Sequence, residues 1–368
     1  MPARASAPPV GVALVGCGAV ACLYHAPALA ALERAGTVVV RALFDPEPAR
    51  VADLRALFPA AAHVERLSEL PGLGIGLAIV ASPPSFHAAQ TTELLAAGLS
   101  VLCEKPLAPT LAEAESVVAA ARAARGVAAA GLFRRFFPAT QTIRALLTAG
   151  AIGDVRRFDC FEGGTFTWPA RSPGFFARSG LSGGVLLDVG VHALDLLGWW
   201  WGEPAELEYE DDAMGGIEAN CRLRLTFPAG FSGEVRLSRD WALPNRYVIE
   251  GSRGWIAWEA NEAERLAVGF HQGGSVIDGR LAARRVANGL PSVGEPAFTF
   301  EQSFTSQLAN VVAAVRGSAP LTVPVEAALP SLALIEGCYR HRRLMPLPWL
   351  GAEEARRARA LGGPPAAA

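Results

Sequence analysis

The sequence predicts an α/β protein in two parts: an N-terminal doubly wound parallel sheet, then an α+β domain built on a large, mainly antiparallel open sheet. Three observations carry this. From Val10 to about Leu132, short apolar runs alternate with helical patterns, the mark of parallel strands joined by right-handed crossovers. Beyond about Phe137, strands with period-two alternation such as "CRLRLTF" accumulate with few helices between them. A chain of 368 residues, 51% hydrophobic and 18% charged, is long enough for two cores.

In order, "VGVALVG" is a buried strand followed by a helix through about Arg34, and "VVVRALFD" is a second strand with "PARVADLRALF" as its helix. "LGIGLAIVAS" is the third strand, "SFHAAQTTELLAAG" its helix, "LSVLCEK" the fourth strand, "LAEAESVVAAARAARG" the next helix and "VAAAGLF" a fifth strand. These make a first domain over residues 8–132. The second, 133–347, opens with a helix over "ATQTIRALLTAGAIGDV", a strand "RRFDCFEG", the loop "GTFTWPARSPGFFARSGLSGG" and a helix "VLLDVGVHALDLLGWWWG". Strands follow over "AELEYEDDA", "IEANCRLRLTFPAGFSGEVRLSRDW", "RYVIEGSRGWIAWEA" and "ERLAVGF", with turns marked by Pro228, Gly230 and Gly251. Helices near residues 301–316 and 325–343 close the domain, and 348–368 read as a C-terminal tail, disordered at "GGPPAAA".

A net charge of −2 leaves no basic field for nucleic acid. The arginine clusters Arg340, Arg342, Arg343 and Arg356, Arg357, Arg359 read as solvated helix faces, with no interleaved aromatic platform. Apart from the first strand and its helix, no apolar run reaches about 18 residues without a charge or breaker, which argues against a membrane span. "VGVALVGCGAVACLY" imitates a signal segment, but Arg4 is the lone basic residue before it and prolines interrupt the approach. The six cysteines stand singly, without metal-ligand spacing. Reduced thiols, a cytoplasmic location and no bound metal are expected.

At the junction of the first strand and helix, Gly16, Gly18 and Ala21 form G-x-G-x-x-A. Gly16 permits a tight turn, Gly18 admits a pyrophosphate, and the helix start at Ala19 and Val20 faces the phosphates. A plain turn is the competing reading. Asp45, closing the second strand, tips the balance, because a carboxylate there binds ribose hydroxyls and repels a 2′-phosphate. NAD(H) is therefore favoured, and NADP(H) stays open because Arg50 follows on the next helix. Ser82, Pro83 and His87, at the end of the third strand, lie at the cofactor edge, with a helix-start role the alternative for His87.

Lys105 is the single lysine among 33 basic residues and sits in "CEKPLAPT" after the fourth strand. An ammonium can exchange its proton when buried or beside other charge, whereas guanidinium stays protonated. Glu104 is expected to contact the cofactor or neighbouring backbone. In "DVGVH", Asp188 precedes His192 by four residues on one helix, so both share a face and the carboxylate can orient the imidazole. Loss of hydride from a carbinol carbon needs a base, and His192 suits it. A satisfied core histidine is the alternative. Asp195, one turn on, reads as structural support or as part of the site. Trp168, Arg171, Phe175 and Arg178 in the long loop, and Arg135, are candidate substrate contacts, with packing and surface charge the alternative. Trp199 to Trp201 cannot all face one way and are assigned to core and oligomer contact.

The opening G-x-G-x-x-A, "CEKPLAPT", "GLFRRFFPA", "AGAIGDV" and "GGVLLDVGVHALDLL" stand in the order of the Gfo/Idh/MocA oxidoreductases, which the chain resembles over about residues 8–347. The family includes glucose-fructose oxidoreductase and inositol dehydrogenase. The resemblance implies a Rossmann domain and a second domain whose sheet makes homo-oligomer contacts, as a dimer or tetramer. It further implies a cis peptide before Pro106, Lys105 between nicotinamide and substrate, and Asp188 and His192 facing it. The activity implied is NAD(P)-dependent oxidation or reduction of a secondary hydroxyl on a sugar, sugar derivative, nucleotide-sugar or cyclitol. Redox-neutral elimination or glycosidic cleavage through transient oxidation, and a non-catalytic dinucleotide-binding regulator, are the alternatives. Leu132 and Phe133 replace the family's more polar pair and point to a larger or more apolar substrate than inositol.

Overall fold

Both faces of a central parallel strand must be covered, so the four-residue runs "LAIV" and "SVLC" are buried at every position. The computed structural model describes residues 7–169, 184–281, 298–348 and 350–361. Its first sheet joins β1 (Val10–Val15), β2 (Val38–Phe44), β3 (Ala62–His63), β4 (Leu77–Val80), β5 (Ser100–Cys103) and β6 (Ala128–Ala130). All pairs are parallel, in the order β3-β2-β1-β4-β5-β6. This is the doubly wound Rossmann order, reversing direction between β1 and β4, with the two-residue β3 added to the strands read from sequence. Its helices are α1 (Ala26–Arg34), α2 (Pro48–Arg55), α3 (Pro84–Ala96) and α4 (Leu111–Ala123). A π-helical turn, Ala21–His25, leads into α1.

The first unit does not end at the fifth predicted strand for good. Residues through Phe133 are joined by Phe304–Leu329, which the sequence had placed inside an uninterrupted second domain. Phe304 stacks on Tyr24 and Phe133 with ring centroids 4.7 and 4.6 Å apart. Gln307 Nε2 donates to the Ala130 carbonyl at 3.3 Å, and Ala129 bridges to Pro324. Leu132 and Phe133 are themselves buried in this packing. Their apolar character answers to the fold of the first unit, so the substrate argument built on them falls away.

The second unit opens with α5 (Pro138–Thr148) and holds, among the described residues, a nine-stranded sheet. Its strands are β7 (Val155–Gly163), β8 (Glu206–Asp211), β9 (Asn220–Thr226), β10 (Ser232–Ser238), β11 (Arg246–Gly251), β12 (Gly254–Glu259), β13 (Arg265–Phe270), β14 (Val276–Arg280) and β15 (Arg343–Leu344). The order is β14-β13-β12-β11-β7-β10-β9-β8-β15. Pairing is antiparallel except at β7–β10 and β8–β15. Between β7 and β8 runs α6 (Val191–Trp201); α7 (Phe300–Val315) and α8 (Leu329–Arg340) lie in sequence between β14 and β15, most of α7 belonging to the first unit, and α9 (Ala352–Leu361) follows β15. The segment read as tail therefore carries a helix, while 362–368 lie outside the described residues.

The three indoles at the end of α6 do turn three ways. Trp201 packs among Phe158, Phe227 and Phe231, Trp200 donates to the Thr140 carbonyl at 3.2 Å, and Trp199 lies under Arg135 and Arg144. Arg134 grips Glu162 through two bonds of 2.6 and 2.8 Å, and Tyr247 donates to the same carboxylate at 2.6 Å. Arg342 departs from the expectation of a solvated charge cluster: its guanidinium is largely buried and donates to Asp211. A run of like charges shows its number, not which member a folded chain turns inward.

Candidate active site

In the first unit the G-C-G turn presses against the end of β4. Gly16 has φ +91°, and a Cβ there would lie 2.6 Å from Ser82 Cα, so only glycine fits. Gly18 differs. A Cβ on it would meet no protein atom within 4 Å, so no protein neighbour demands its small size. A closely approaching pyrophosphate would, and a helix start such as that at Ala19 and Val20 suits its charge. These residues therefore fit a dinucleotide.

Asp45, nearly fully buried, bonds this turn with one oxygen and the start of α2 with the other. Oδ2 accepts the Cys17 N–H at 2.9 Å and Oδ1 the Glu47 N–H at 2.9 Å, while Arg50 Nη1 stands 3.7 Å away. Burial, then the charge of Asp45, pushes the Cys17 thiol up to about 12, so it stays protonated. Replacing Asp45 with serine is expected to raise the NADP-to-NAD ratio of kcat/KM about tenfold or more. It removes the carboxylate that repels a 2′-phosphate and leaves Arg50 to meet it. Steady-state kinetics with both cofactors check this, and an unchanged ratio would mean that Asp45 does not face the ribose.

Beyond β4, Ser82 Oγ donates to Gln90 Oε1 at 2.6 Å and Pro83 caps α3. His87, in the first turn of α3, is buried, with Nδ1 2.7 Å from the Pro106 carbonyl and Nε2 2.8 Å from that of Ser82. Lys105 follows β5, half-buried, joined to Pro106 by a cis peptide. Its N–H donates to Glu104 Oε2 at 3.0 Å, and Glu104 Oε1 accepts from His25 Nε2 at 2.7 Å. Burial opposes ionisation of Glu104, but the His25 hydrogen bond and charge, then Lys105, outweigh it and hold the carboxyl below its ordinary value. Of the two roles foreseen for Glu104, backbone contact is the one observed. His25, in the π-helical turn ahead of α1, is the side chain that holds Glu104 in place.

In the second unit a π-helical turn, Leu186–Gly190, leads into α6. Gly190 lets this segment approach β10: a Cβ would lie 2.7 Å from Leu186 Cδ1 and 2.8 Å from Leu237 Cδ1. Just past β10, Arg239 donates to Asp188 Oδ2 while its guanidinium lies 4.8 Å from the centre of the Phe166 ring. Sequence pattern missed Arg239, which stands 51 residues from its partner. His192 is buried in the first turn of α6. One turn on, Asp195 accepts Arg135 Nε at 3.0 Å and Nη2 at 2.6 Å. Burial raises the Asp195 carboxyl while the Arg135 fork pulls it back. Arg135, a candidate substrate contact, thus has its fork turned onto Asp195, which fits the structural role foreseen for that aspartate. Trp168 is half-buried; Arg171, Phe175 and Arg178 lie outside the described residues.

Residues 10–132 match the family profile described as an oxidoreductase family with an NAD-binding Rossmann fold, and 140–257 match the GFO/IDH/MocA C-terminal domain. The chain is 30% identical over 195 residues to trans-1,2-dihydrobenzene-1,2-diol dehydrogenase of Mus musculus, covering 52% of this chain and 56% of that one. It therefore spans little more than half the length of that relative. With the rhizopine catabolism protein MocA of Rhizobium meliloti it shares 26% identity over 261 residues, 70% of this chain and 73% of the relative. A levoglucosan dehydrogenase solved with NADH and levoglucosan superposes with a TM-score of 0.78 at 18% identity, over 90% of this chain and 98% of that one, a likeness of fold. No helix among the described residues is long and apolar enough to cross a membrane. With both domain profiles matched in order along it, the chain belongs to the Gfo/Idh/MocA family of oxidoreductases.

Proposed function

We propose that this protein is an NAD(H)-dependent oxidoreductase that transfers hydride between nicotinamide and a secondary hydroxyl or ketone of a sugar, sugar derivative, nucleotide-sugar or cyclitol. The observation that carries this is the setting of Lys105. A half-buried lysine sits at the carboxyl end of a central Rossmann strand, its peptide N–H held by Glu104, in the unit whose Gly16–Gly18 turn and Asp45 fit a dinucleotide. The relatives point the same way: one is named as a dehydrogenase of trans-1,2-dihydrobenzene-1,2-diol and a similar fold was solved with NADH and levoglucosan.

Bound NAD would supply the hydride acceptor; the chain's own residues handle position and protons. Gly16, Gly18, Ala19 and Val20 hold the pyrophosphate and Asp45 the adenosine ribose. Lys105 donates a hydrogen bond to the reacting oxygen and steadies its charge as the carbinol proton leaves. His192 takes that proton in oxidation and returns it in reduction. Asp188, neutralised by Arg239, is a fixed carboxylate that orients rather than exchanges.

The test is a panel of sugars, sugar acids, glycosides, nucleotide-sugars and cyclitols with NAD and with NADP, followed at the nicotinamide absorbance. Net NADH formation with one of these classes is the expected result. Product formed without net NADH would replace this reading with the redox-neutral one, and no product from any class would sink it.

A further inference from the structure

Carbonyl oxygens accept hydrogen bonds and have none to give. His87 places one ring nitrogen 2.7 Å from the Pro106 carbonyl and the other 2.8 Å from that of Ser82, so both contacts require N–H groups. A neutral imidazole has only one. The ring is 1% exposed, which leaves no water to rescue a lone pair aimed at a carbonyl at this distance. The neutral ring would keep one contact as a repulsion between lone pairs, and the imidazolium satisfies both. Cys103, on β5, is the titratable neighbour that faces it. Burial works against the charge, yet Cys103 and the two carbonyls outweigh burial and lift the imidazole from 6.5 to about 9.

Position makes this charge useful. Pro106 directly follows Lys105, so the His87 bond anchors the main chain on one side of the lysine as Glu104, backed by His25, anchors it on the other. We propose that His87 is a resident imidazolium, a positioning residue that ties the Lys105 loop to the end of β4 and does not itself touch cofactor or substrate. The proposal rests on the catalytic role assigned to Lys105 above.

The charge is tested on the protein alone. With histidine labelled by 15N in the ring, both His87 nitrogens are expected to carry protons at pH 8, the signals being assigned by their loss in a variant. A single ring proton at that pH would overturn the proposal. Position is tested by a pair of substitutions: the amide nitrogen of His87→Asn overlays Nδ1 and keeps the bond to Pro106, whereas that of His87→Gln overlays Nε2 and keeps only the bond to Ser82. Lys105 is the only lysine, so reductive methylation with 13C-formaldehyde gives one side-chain reporter.

The glutamine variant is expected to move that signal and to lower kcat about 100-fold on the substrate found by the panel, with substrate KM and NAD affinity little changed. The asparagine variant keeps the signal near its native position and loses no more than about tenfold. Equal disturbance by both variants would reduce His87 to a packing residue and overturn the positioning claim. If neither variant folds, the ring signals of the native chain decide. Undiminished turnover in Lys105→Ala would remove the catalytic reading of Lys105 and leave the ring protonation of His87 to stand or fall on its own spectrum.

Discussion

Lys105→Ala is expected to lower kcat about 1000-fold while NAD affinity stays within a few-fold of native, the scale of losing a positioned hydrogen-bond donor to the reacting oxygen. The reason lies in what holds the residue. Its backbone is bonded through Glu104 and its neighbour Pro106 through His87, so truncating the side chain leaves the loop and the Gly16–Gly18 turn in place. Lys105→Arg should fail nearly as badly, although it keeps the charge. A guanidinium is a broad planar fork on a longer stem and cannot place a single donor where the compact ammonium places one. Turnover is read by NADH absorbance and affinity by nucleotide titration. Near-native turnover in the arginine variant would show that charge alone suffices and would remove the role of a specifically placed donor.

His192→Asn is expected to lower kcat by about 100-fold or more, with a smaller effect on cofactor affinity. Asparagine preserves much of the shape of a buried side chain on α6 but cannot accept and return a proton. The pH profile separates this from simple misfolding. Oxidation by the native enzyme should rise with pH as its base loses a proton, and the variant's residual rate should lose that rise. A variant that keeps both the rate and the native profile would take the base role away from His192. Arg239 gives the contrasting case within the same unit, since it is paired with Asp188 and has no proton to exchange.

What the sequence made legible was whatever is local. Gly16, Gly18 and Asp45 are separated by the length of one strand–helix–strand unit, and the lone lysine stands in a short motif, so spacing and residue type were enough to nominate them as candidates. The contacts that orient these groups were not legible. His25 meets Glu104 across 79 residues, Arg135 meets Asp195 across 60 and Arg239 meets Asp188 across 51. Each partner alone is an ordinary polar residue on a helix or loop, and only the fold pairs them. The two π-helical turns were equally hidden, because an added residue in a turn leaves the apolar pattern almost unchanged. The helix α9 was a different case: "AEEARRARAL" is made of strong helix formers, a signal available in the sequence and passed over there as tail.

The return of Phe304–Leu329 to the first unit bears on how this protein can be cut, copied or recombined. Ended at residue 132, the dinucleotide half would lose Phe304, Leu308, Val323 and Val325, all buried in the intact chain, and its edge strand β6 would lose the bridge at Ala129. Such a fragment would present an apolar flank and an unpaired strand edge, and would aggregate rather than bind nucleotide. A stand-alone version must therefore be spliced, with residues 304–329 carried on a linker or moved ahead of Val10 in a circularly permuted chain. For the same reason the second half cannot be exchanged between relatives as a cassette with one joint: several breaks in the chain have to be matched at once.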